Sequence, residues 1–109
     1  MQISYSKLVR DRIPEIIQAD GHRAATRILD EETYRAALLE KLTEEAHEVR
    51  QAPTDQLAAE LADVLEVLQA LAAAHNLTWN EILTMAARKR TERGGFHDRI
   101  FLEYVEQSG

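Results

Sequence analysis

Four carboxylates recur at one spacing: Glu45 with Glu48, and Glu60 with Asp63, each pair three residues apart. In a helix that spacing puts both members on one side, close enough to feel each other's charge. The segments that carry them read as helical. On a wheel the first has an apolar stripe of Leu38, Leu42, Ala46 and Val49. The second has Leu57, Leu61, Val64, Leu68 and Leu71. Each acid pair lies roughly 90° from the centre of its stripe, at about 100° per residue. Only the stretch from Gln51 to Thr54 separates the two segments, which requires an antiparallel hairpin. Both pairs then fall at comparable depth beside a shared core.

Half-buried carboxylates held together repel one another and need a counter-charge. A hard divalent cation supplies it: Mg²⁺ takes a few carboxylate oxygens and keeps sites for water and phosphate, and Mn²⁺ is its usual substitute. The set contains no soft ligand, which disfavours zinc and copper. A single Glu-x-x-Glu pair is more often a solvated helix face than a site. Repetition of the pair on adjacent helices is what favours a site, and on geometry alone both readings stay open. Neither pair has a basic residue three or four along that would neutralise both members. Glu44 sits just outside the first pair. With His47 it makes a Glu-x-x-His pair of the kind found in di-iron bundles, but both residues point nearly opposite Leu42 and Val49, away from the core such ligands need. His22, His75 and His97 lie near loops and read as surface residues.

The elements that position these acids are marked by their caps. Asp30 is a good N-cap for a helix running to about Gln51 and stopped before Pro53. Thr54 or Asp55 can cap a second long helix to about Ala74, with Asn76 as its stop. Thr78-Trp79-Asn80-Glu81 is a capping box opening a third helix to about Glu92, which Gly94-Gly95 ends. Before all of these, an extended arm leads into a short helix over residues 13–19, with Pro14 in its first turn and Asp20-Gly21 after it. Residues 22–29 read as loop. The tail from Ile100 to Val105 has a weak signal for a short helix or strand. The expected fold is all-α, an antiparallel helix hairpin plus a third helix, forming one domain over residues 1–109.

Composition narrows the chemistry. The chain has no cysteine, so disulfides and thiolate metal sites are excluded. A net charge of −6 argues against general affinity for nucleic acid. It leaves room for a polyanion bridged by cations. The bases are segregated into two blocks, Lys7 to Arg12 and Arg88 to Arg93. Acids interrupt every long apolar run, so no membrane span is expected. The N-terminus is charged within seven residues and lacks the apolar core of a signal peptide, so a cytoplasmic protein is expected.

Glu44-Glu45-Ala-His-Glu48 followed by Glu60-Leu-Ala-Asp63 resembles the signature of the all-α nucleoside triphosphate pyrophosphohydrolases, the MazG-like superfamily that also includes phosphoribosyl-ATP pyrophosphohydrolases and all-α dUTPases. The opening Lys7-Leu-Val-Arg-Asp-Arg-Ile-Pro and the closing Lys89-Arg-Thr-Glu-Arg-Gly-Gly-Phe96 look like a short single-domain subgroup of it. The resemblance implies a four-helix-bundle-like core completed by a homodimer or homotetramer. It implies Mg²⁺-dependent hydrolysis of nucleoside triphosphates, standard or modified, to a monophosphate and pyrophosphate. By position, Glu45, Glu48, Glu60 and Asp63 are then the metal ligands, and Glu44 or Glu48 takes the proton of the attacking water. Lys7, Arg10, Lys89 and Arg93 are candidates to clamp phosphates. Trp79 and Phe96 could stack on a base, although core or interface packing is the commoner role. Two alternatives stand beside this: phosphoribosyl-ATP hydrolysis in histidine biosynthesis, which the terminal blocks fit less well, and a non-catalytic helical oligomerisation module.

Overall fold

A computed structural model describes residues 1–107. Among them are four α-helices and no strand: α1 Ile13–Ala19, α2 Glu31–Gln51, α3 Leu57–Ala74 and α4 Trp79–Arg93, with a single 3₁₀ turn, Thr54–Gln56, leading into α3. None of these helices is long and apolar enough to cross a membrane. The chain packs as two compact units, Met1–Leu77 and the residues from Thr78 onward.

In the first unit α1 is set by Pro14 at its start and ends at Asp20, with Gly21 at a φ of 84°. Asp30 caps α2, its carboxylate accepting from the Thr33 amide at 2.8 Å. That bond, from the backbone amide above all, holds the Asp30 carboxyl below its ordinary pKa. The expected caps of α3 do not form. Thr54 and Asp55 instead lie within the 3₁₀ turn, and Gln56 precedes the helix without a side-chain cap bond. Asn76, left-handed at a φ of 59°, follows the end of α3 as the sequence suggested.

The α2 and α3 helices pack on one another as the antiparallel hairpin that their short connection demands. At one end, Arg35 near the start of α2 donates to the Ala74 carbonyl at the end of α3, at 3.1 Å. The buried side chains are Leu38 on α2 and Val67 and Ala72 on α3. This corrects the wheels in one respect. Leu61 and Leu68, assigned to the inner stripe, are exposed, and so is Ala46. The reason is that α3 is apolar around most of its circumference, so the apolar maximum does not mark the side that meets α2. That side is centred about 50° further round, near Glu60, Val64, Val67 and Leu71.

In the second unit Thr78 and Glu81 form the full capping box, with the Thr78 hydroxyl accepting from the Glu81 amide at 3.1 Å and the Glu81 carboxylate accepting from the Thr78 amide at 3.0 Å. The helix ends at Gly94, whose φ of 80° only glycine adopts freely. The tail from Ile100 to Val105 forms neither helix nor strand.

Candidate metal centre

Three of the four expected ligands converge. Glu45 on α2 and Glu60 and Asp63 on α3 each offer a carboxylate oxygen, and the three oxygens lie within 4.8 Å of one another. The position of the α2-facing side explains this. Glu60 lies near its middle and Asp63 at its edge, rather than a quarter turn away. Glu45 occupies the corresponding place on α2, on the same face as Leu38 and Val49, and its side chain is only 13% exposed.

The electrostatics follow from the crowding. Burial, chiefly, and then the charges of Asp63, Glu48 and Glu45 raise the Glu60 pKa. Two bases offset part of the negative charge. Lys41, one turn before Glu45, places its ammonium 3.4 Å from the Glu45 carboxylate and 3.8 Å from that of Glu44. Arg10, in the N-terminal arm, places its Nη2 at 2.6 Å from Asp63 Oδ1. Glu60 has no basic partner among the described residues. Lys41 is the residue that sequence reasoning passed over. Its i,i+4 spacing to Glu45 was visible, but it neutralises one member of that acid pair and not both.

The remaining candidates are placed as follows. Glu48 is exposed and outside the group of three converging oxygens, although its charge is felt at Glu60. Glu44 is exposed and drawn to Lys41. His47 is exposed on the outer face, as the wheel required. Lys7 lies over the Tyr5 ring, 5.7 Å from its centroid. Lys89 and Arg93 are exposed on α4, in the second unit. Trp79 is half-buried, whereas Phe96 is 98% exposed.

The residues present fit a hard cation. The donors are three carboxylates, with no nitrogen or sulfur among them. Three oxygens bound to one Mg²⁺ lie mostly about 3.0 Å apart at ordinary bond lengths, so these acids, now within 4.8 Å of one another, would draw together to hold it.

Residues 29–95, more than half of the 109, match the family of the MazG nucleotide pyrophosphohydrolase domain. The matched stretch includes all of α2, α3 and α4. An uncharacterized protein of Mycolicibacterium smegmatis is 49% identical over 55 residues, which cover 50% of this chain and 56% of the relative. The chain thus spans little more than half the length of that relative. No solved structure gives a significant match. A three-carboxylate cluster set across a helix hairpin inside the matched stretch agrees with what the match indicates: the chain belongs to the MazG nucleotide pyrophosphohydrolase domain family.

Proposed function

We propose that the chain hydrolyses nucleoside triphosphates between the α- and β-phosphates in a Mg²⁺-dependent reaction. Water adds to the α-phosphorus, the bridging oxygen leaves with pyrophosphate, and a nucleoside monophosphate remains. The observation that carries this reading is the convergence of Glu45, Glu60 and Asp63 within the family segment. These three would hold the cation, which would neutralise phosphate charge and lower the pKa of a bound water. Glu48 is the group we assign to receive the water's proton. It is exposed beside the cluster and not tied up by Lys41, as Glu44 is. Arg10, held beside the cluster through Asp63, is the arm's donor to phosphate oxygens in this reading, and Lys7 of the same arm is a further candidate.

The active form in this proposal is a homo-oligomer. The supporting observation is on α3, where Leu61, Leu65 and Leu68 make a second apolar stripe that is exposed. A helix apolar on two sides is buried on two sides in a stable assembly.

The test is pyrophosphate release from a panel of standard and modified nucleoside triphosphates with Mg²⁺. Turnover of at least one, lost in Glu45→Gln and Asp63→Asn, is the expected result. No turnover of any would remove the proposal.

A further inference from the structure

Asp63 has two claims on it. It is one of the three carboxylates that converge across the hairpin, and it accepts the charged hydrogen bond from Arg10 at 2.6 Å. Arg10 belongs to the N-terminal arm, outside the residues matched by the family. Among the described residues no other side-chain hydrogen bond or ion pair joins residues 1–12 to α2 or α3. Arg12 bonds Glu15 within its own segment, and Lys7 lies on Tyr5. Arg10 is therefore the one polar tether of the arm on the hairpin.

We propose that Arg10 is a displaceable counter-ion, holding Asp63 while the cluster lacks a cation and leaving it when a divalent cation enters. This rests on the cation-site part of the reading above. The competition is unequal for a simple reason. Arg10 neutralises one carboxylate from the side, whereas a divalent cation gathers three at once with twice the charge. The two positive centres would then share one carboxylate and repel each other. Lys41 is placed differently. It is mostly covered, and its contacts are with Glu44 and Glu45 on its own helix, so it has no arm to release. Cation binding is in this way coupled to freeing of the arm, and a guanidinium becomes available beside the cluster for an incoming anion.

The experiment is Mn²⁺ binding to the full chain without nucleotide, followed by calorimetry or by the electron-spin signal of free Mn²⁺. Arg10→Ala should bind Mn²⁺ about 2- to 5-fold more tightly, the equivalent of breaking one exposed charge pair. Arg10→Lys, which keeps the charge and loses the planar fork, should fall between. Arg12→Ala is the control, since it removes the same charge two residues away from a side chain that does not touch the cluster. In the parent protein, exchange of the Ile13 amide, which donates to the Arg10 carbonyl at 3.1 Å, should quicken when Mn²⁺ is added. Unchanged or weaker affinity in Arg10→Ala, or an equal gain in Arg12→Ala, would overturn the inference and leave the pyrophosphohydrolase reading intact. Absence of Mn²⁺ binding in all four proteins would remove both together.

Discussion

Glu60 offers a prediction whose sign reverses with the cation. Its carboxylate lies near the middle of the face that meets α2, has no basic partner among the described residues, and is opposed by the charges of Asp63, Glu48 and Glu45. Glu60→Gln keeps the shape and removes the charge. Without a divalent cation the variant should therefore melt at a higher temperature than the parent. The pH dependence follows from the raised pKa. The folded state binds more protons than the unfolded state between the ordinary carboxylate value and the raised one, so the parent loses stability as pH rises through that window. The advantage of Glu60→Gln is then absent at the acid end and fully present above the raised value.

With the cation the order should reverse. A ligand at 100 times its dissociation constant stabilises the folded state by about 2.7 kcal/mol. For a chain of this size that is a rise of roughly 10–20 °C in Tm. Loss of one carboxylate from three should weaken binding by about 10- to 100-fold, the range seen even for groups that only support metal ligands. At the same cation concentration the stabilisation falls to between about one half and one sixth. The assay is a pair of thermal melts for each protein, with Mg²⁺ and with chelator, repeated across the acid range. A variant that melts at or below the parent in chelator, or that keeps the full Mg²⁺ shift, would refute the placement of Glu60 among the three acids.

Leu38 is the most buried residue of the hairpin, at 3% exposure. Leu38→Ala should cost about 2–5 kcal/mol, read from urea unfolding, with the low end expected because its neighbours are partly exposed and can close in. Thr78→Ala removes half of the capping box and should cost about 1 kcal/mol, visible as faster amide exchange in the first turn of α4. Leu65→Asp puts a charge in the exposed α3 stripe. Sedimentation should show a smaller assembly than the parent, and an unchanged mass would count against that face as the contact between copies.

Legibility of this molecule in its sequence depended on whether a signal was local. The Asp30 cap, the start of α1 at Pro14, the Thr78–Glu81 box and the stop at Gly94 each depend on a few adjacent residues, and each formed where expected. The angular position of α3 against α2 is not local. With Leu57, Leu61, Val64, Leu65, Val67, Leu68 and Leu71 covering an arc of about 160° and alanines filling most of the rest, several rotations bury similar apolar area. The choice among them is made by contacts with α2, and a wheel for α3 alone does not contain those. The same rotation that exposes Leu61, Leu65 and Leu68 turns Glu60 toward Glu45. An acid cluster on the hairpin interface and an apolar stripe on its outer side thus have one origin. Crowding two half-buried acids against a third is unfavourable by itself, and Lys41 and Arg10 offset only part of it. In the assembly proposed above, a partner on the outer stripe would stabilise the rotation that brings the acids together, and so would a cation among them. Assembly and cation affinity should therefore rise and fall together.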